Sequence, residues 1–152
     1  MRKFYCLLLI VLLCFPSLAL GEENLLKNAD FEAVDAGLPA DWFEDAYYMS
    51  TTASSFALEA DGYSGSCIRV TNLTENDARF MQTVSVEPDT TYKITCLCRA
   101  EGIPEGSIGA TISIKDTFSY SESLTDTNGE WVPLTLYGKT GSDQTTLTVY
   151  AR

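Results

Sequence analysis

No histidine occurs anywhere in the 152 residues, and that absence removes several kinds of chemistry at once. Without imidazole, Ser-His-Asp and Cys-His nucleophilic arrangements cannot be assembled from this chain, nor can ordinary His-containing zinc sites. Thiolate zinc is poorly served too, because Cys96 and Cys98 are two apart and there is no pair of CxxC motifs. Neither a GxxxxGK(S/T) nor a GxGxxG motif is present, so nucleotide phosphates have no backbone cradle. Basic residues are scarce as well: 10 Lys and Arg stand against 21 Asp and Glu, a net charge of −11. A surface of that sign repels phosphate backbones and anionic headgroups, which argues against nucleic acid and membrane surfaces as partners. Neutral ligands and divalent cations remain attractive.

Long apolar runs are confined to the start of the chain. Arg2 and Lys3 form a short basic region, Phe4 to Phe15 is unbroken apolar sequence, and Ala19-Leu20-Gly21 offers small residues where a signal peptidase reads. Pro16 and Ser17 interrupt the stretch short of the ~20 residues a bilayer-spanning helix needs. We therefore expect a signal peptide over residues 1–21, cleaved after Gly21, and a secreted or cell-surface module over residues 22–152. Loss of Arg2 and Lys3 leaves 8 basic against 21 acidic residues, a charge of −13. Cys6 and Cys14 leave as well, and the odd set Cys67, Cys96 and Cys98 cannot close a disulfide framework; buried free thiols are the expectation.

Helical periodicity is also missing, and alternation of period two dominates instead. In Thr91 to Ala100, Tyr92, Ile94, Cys96 and Cys98 face one way while Lys93, Thr95 and Arg99 face the other. Val132, Leu134 and Leu136 alternate with Pro133, Thr135 and Tyr137, and Leu147, Val149 and Ala151 with Thr146, Thr148, Tyr150 and Arg152. These patterns predict half-buried antiparallel strands. Shorter strands are expected at Leu25–Phe31, Phe56–Glu59, Cys67–Asn72, Phe80–Val86, Ala110–Ile114 and Phe118–Ser121, separated by turn signals such as Asp61-Gly62 and Asn128-Gly129. The fold class that follows is all-β, a sandwich. Thr145 to Arg152 reads as a strong strand with no turn after it, which implies a missing sheet neighbour and a module truncated at its C-terminal end.

Aromatic residues supply the candidate binding groups. Sugar rings present flat C–H faces that lie on aromatic rings, while their hydroxyls need amide, carboxylate and guanidinium partners. Tyr47 and Tyr48, Phe80 flanked by Arg79 and Gln82, and Phe118 with Tyr120 are the candidates. Alternation puts Phe80 and Gln82 on one face, and Phe118 and Tyr120 on one face, so either pair could line a groove or pack in the core. Trp42, Trp131 and Tyr92 are assigned to the core or its rim. Asn28, Asp30 and Glu32, spaced two apart, could offer oxygens to a hard cation such as calcium or form a polar outer face. Asn72-Leu73-Thr74 fits an N-glycosylation sequon.

Several segments in order carry a resemblance: Asn24 to Glu32, Leu38-Pro39-Ala40-Asp41-Trp42, Gly62 to Ser66, Gln82-Thr83-Val84, Pro88 to Tyr92 and Gly129-Glu130-Trp131. Together they resemble the carbohydrate-binding modules of the type grouped as families four, nine, sixteen and twenty-two. The resemblance implies a galactose-binding-domain-like jelly-roll that binds polysaccharide or glycan on a concave sheet and makes or breaks no bond. It also implies a structural calcium, with Asp30, Glu32 and Ser64 inheriting ligand roles. The acidic pair that normally adds a ligand from the last strand is lacking here. Such modules are joined to glycoside hydrolases or to bacterial membrane glycosyltransferases, so the implied setting is a bacterial protein with a further domain downstream. A structural or adhesive jelly-roll without a sugar site, and a small hydrolase using a carboxylate pair, are the competing readings.

Overall fold

The computed structural model describes residues 23–152; the expected signal peptide lies outside the described residues. Ten strands follow one another: β1 (Val34–Asp35), β2 (Leu38–Pro39), β3 (Phe43–Ala46), β4 (Ser54–Glu59), β5 (Cys67–Asn72), β6 (Ala78–Ser85), β7 (Thr91–Cys98), β8 (Ile112–Ile114), β9 (Val132–Lys139) and β10 (Thr146–Ala151). No helix occurs among the described residues.

Strand pairing makes one four-stranded sheet, in the order β3-β6-β10-β8, and three two-stranded pairs, β1-β2, β4-β5 and β7-β9. All pairings are antiparallel. Two layers result because each long strand is apolar on one face only. Ile112 and Ile114 of β8 and Leu147 and Val149 of β10 meet Ile94 of β7 and Leu134 and Leu136 of β9 in one buried cluster. Full burial of aliphatic side chains of this size stabilises by about 1.5–3 kcal/mol each. At the other end Phe80 of β6 takes the edge of Phe56 from β4, ring centroids 5.4 Å apart. The layers approach closely at Gly138, where an added Cβ would collide with the Ile114 Cδ1 methyl.

Strand β5 spans the residues expected of it, and β4, β6, β7, β9 and β10 lie within two residues of their expected bounds. Leu25 to Phe31 is a turn-rich segment, not a strand. Asn28 and Phe31 take positive φ values of 45° and 61°, which no ladder accommodates. The Asn28 side chain supplies substitute hydrogen bonds, donating to the Ala33 and Ala40 carbonyls and accepting from Ala33 N–H. Trp42, buried as expected, donates its indole N–H to the Asn28 carbonyl at 3.1 Å. The missing-neighbour expectation for the last strand is corrected: β10 lies between β6 and β8, paired on both edges.

Of the thiols, Cys67, Cys96 and Cys98 are all free. Cys67 and Cys98 are half-buried, whereas Cys96 presents surface to solvent, so uniform thiol burial is not met. Leu134 is its register partner on β9, and desolvation pushes the Cys96 thiol up to about 12.

Candidate functional site

The outward face of the four-stranded sheet gathers the candidate site. Residues directly opposite in an antiparallel pair point to the same face. Since Phe80, Val149 and Ile112 point inward, the register sends Phe43, Met81, Tyr150 and Ser113 outward in one row. An isolated bridge from Ser113 to Tyr120 extends that row across the edge. Beside it run Asp45 and Arg79, with Arg152 immediately after β10. On the other side Thr83 and Thr148 share a hydroxyl hydrogen bond of 2.7 Å.

At the centre are two guanidiniums and two carboxylates. Arg79 reaches Asp45 Oδ2 from Nε and Nη2 at 2.6 Å each and Asp77 Oδ2 from Nη1 at 2.7 Å. Arg152 Nη1 binds the same Asp77 oxygen at 2.9 Å. Arg79 also lies 4.5 Å over the Tyr150 ring, a cation–π contact that fixes the plane of the guanidinium. Burial alone would lower the Arg79 pKa, but the Asp45 hydrogen bonds and the Asp77 charge outweigh it and hold the guanidinium above its ordinary value. The aspartates are less buried than the arginines they hold. Their remaining lone pairs can accept hydroxyl hydrogen bonds, and unused guanidinium N–H groups can donate.

Aromatic rings flank this polar centre. Tyr47, 89% exposed, follows β3 and donates its N–H to the Asp77 carbonyl, placing it beside the ion cluster. Phe43, 63% exposed, is two residues before Asp45 on the same strand face. Tyr120, 45% exposed, stands at the opposite edge. Exposed Tyr48 is held by its N–H to Asn76 Oδ1 at 3.1 Å. Beyond Thr148 the face opens into a polar groove of about 350 Å³ between the Lys115–Thr117 turn and Gln144.

Two expected site residues lie on the inward side of the sheet. Phe80 is 0% exposed and has no ring face to offer a ligand. Gln82 is buried and works internally, accepting from Lys27 N–H and donating to the Lys27 and Asp41 carbonyls. Alternation groups residues by face without saying which face is wet. Here the wet face of β6 carries Arg79, as expected, together with Met81 and Thr83. Phe118 is fully exposed, but it sits in a turn and not on a strand, so alternation does not pair it with Tyr120.

The residues given to calcium lie on the N-terminal segment and the loop hydrogen-bonded to it. Glu32 Oε1 accepts the Ser66 N–H at 2.6 Å, and Asp30 Oδ1 accepts the Glu32 N–H at 3.4 Å. Ser64 remains exposed on the same loop. No group of three acidic, Cys or His side chains able to hold a metal exists among the described residues. Glu32 thus spends an oxygen on tying the N-terminal segment to the Ser64–Ser66 loop. Gly65 permits the tie, because a Cβ there would strike Glu32 Oε1 and its φ is +79°.

Sequence reasoning missed Phe43, Asp45, Asp77 and Ser113 as site residues. Tyr150 and Arg152 were on the correct face of the last strand, which is the signal that could have found them. Comparison with curated proteins and with solved structures returns no match. A model of a carbohydrate-binding domain family matches residues 23–151, nearly all of the described chain. That match agrees with the two-layer β fold, and the chain belongs to this family of carbohydrate-binding domains.

Proposed function

We propose that this domain holds a glycan chain across the outward face of the β3-β6-β10-β8 sheet without making or breaking a bond. The observation that carries the reading is the Asp45–Arg79–Asp77–Arg152 cluster bracketed by the exposed rings of Phe43, Tyr47 and Tyr120. Pyranose faces stack on the rings and hydroxyls bridge to the fixed carboxylates and guanidiniums. The basic, apolar and small-residue order of residues 1–21 supports export, and the module serves as the glycan-targeting part of a larger carbohydrate-active protein.

The test is a glycan array followed by calorimetric titration of the best ligand. Tyr47→Ala and Asp45→Ala are each expected to weaken binding at least fivefold while leaving the melting temperature of Tyr47→Ala unchanged. Variants on the opposite outer surface, such as Thr95→Ala, retain full affinity. Equal affinity in the Tyr47, Asp45 and Thr95 variants would remove this face as the site.

A further inference from the structure

On the proposed glycan face one hydroxyl is sealed and unused. Thr83 pairs with Thr148, Thr111 Oγ1 donates to the Ile112 carbonyl, and Ser121 Oγ donates to the Glu122 carbonyl. Ser113 Oγ has no partner and the residue is completely buried. The other buried side-chain polar atom without a partner among the described residues is Arg152 Nε. Buried polar groups are paired as a rule, and orphans concentrate where a ligand or water completes them.

The two orphans share one place. Ser113 stands between Tyr150 and Tyr120 in the cross-strand register. The Arg152 guanidinium lies 5.1 Å from the Tyr150 ring centroid and 5.5 Å from that of Tyr120, against both of the rings that flank the serine. A serine on the outward face of a sheet would ordinarily face water. This one is fully buried. The Arg152 side chain on its flanking rings is held through one hydrogen bond, Nη1 to Asp77, and Asp77 keeps a second cation in Arg79 when that bond is released.

Building on the proposed glycan face, we infer that Ser113 Oγ and Arg152 Nε form a covered subsite for one sugar hydroxyl. The chemistry of the pair selects the ligand group. Arg152 Nε–H can only donate, while Ser113 Oγ can donate or accept, so the group that satisfies both must accept from Arg152 and can pair with the serine in either sense. A hydroxyl does so and a methyl does not; a carboxylate could accept from both but meets the acidic surroundings of this chain on approach. Entry lifts the guanidinium from Tyr120, and the freed ring face becomes available to the same sugar. Ser113 and Arg152 are therefore positioning and specificity residues, set deeper than the exposed rings.

The experiment uses the full chain and an oligosaccharide that the wild type binds on the array. Ser113→Ala should weaken calorimetric affinity about fivefold to tenfold, the loss of one hydrogen bond, with a melting temperature equal to or above wild type because an orphan hydroxyl is removed. Monodeoxy analogues of the ligand identify the hydroxyl: one deoxy position should cost wild type about the same factor and cost Ser113→Ala nothing. Arg152→Met, which keeps an apolar cover on the rings, should be non-additive with Ser113→Ala. If Ser113→Ala binds like wild type, or every deoxy analogue loses equally in both proteins, the slot holds water only and the inference fails. In that case Tyr47→Ala still reports on the face itself. Absence of any glycan binding by wild type would overturn both.

Discussion

Positions on the two sides of the β3-β6-β10-β8 sheet make the sharpest test of the proposed binding face. Phe80 is completely buried against Phe56, and Phe80→Ala removes that contact and leaves a cavity at a cost of about 3–5 kcal/mol. In a domain of roughly 130 residues each kcal/mol shifts the melting temperature by about 3–5 °C, so a fall of about 10–20 °C is expected. Tyr47, nearly fully exposed, should change stability by no more than about 0.5 kcal/mol on truncation. Thermal unfolding followed by circular dichroism, with glycan titration at 20 °C below each midpoint, reads both effects. Phe80→Ala should melt early yet bind like wild type wherever it is folded, and Tyr47→Ala should melt normally and bind weakly. A Phe80→Ala protein that melts within about 3 °C of wild type and no longer binds glycan would mean that the faces of β6 are reversed, and the site described here would be wrong.

Gly65→Ala forces a side chain into a positive-φ position and against Glu32, and should cost about 2 kcal/mol in urea unfolding; an unchanged midpoint would show that the loop tie is unimportant. Saturating EDTA tests the proposed calcium site: a melting temperature unmoved by chelation would leave Asp30, Glu32 and Ser64 without a resident ion. A resident calcium at 100 times its Kd would instead contribute about 2.7 kcal/mol, readily visible as a drop on chelation. With its thiol pushed up to about 12, Cys96 is thiolate in only about one molecule in 10⁴ at pH 8. Mass mapping after brief iodoacetamide treatment at that pH should find it unlabelled in the native protein despite its exposed surface, and labelling at the rate of a peptide thiol would contradict the assignment.

Alternation was readable wherever a strand has one wet and one dry face. The inward set Ile94, Leu134, Leu136, Leu147 and Val149 is the core that pattern predicts. Alternation cannot say which set is wet when both contain large residues: on β6 the aromatic Phe80 went inside and Arg79 stayed out. Strand β3, Phe-Glu-Asp-Ala, has no apolar rhythm at all, because it is an edge strand whose inward positions are Glu44 and Ala46 and whose pairing with β6 does the organising. Its contribution to the site, Asp45, was therefore invisible. Asp77 was invisible for a related reason: it owes its role to two arginines 2 and 75 positions away in sequence. At Leu25–Phe31 the apolar residues suggested a strand, but Asn28 satisfied the local backbone through its side chain, and a turn formed.

The charge arrangement joins fold to ligand. A chain with a net charge of −11 places two arginines together on the outward face of one sheet, where each helps to shield the Tyr150 ring. Asp45 and Asp77 cancel that local charge, so the centre of the face is strongly polar yet close to neutral. An anionic ligand gains little from guanidiniums already committed to carboxylates and meets the acidic surroundings on approach. A neutral polyhydroxylated chain meets neither obstacle. It finds donors and acceptors already fixed in place by one another, so fewer side chains need ordering on binding. The aspartates that hold the arginines are thus part of the proposed recognition surface, and removing either carboxylate should strip the face of an acceptor while freeing a guanidinium that would draw the domain toward acidic glycans.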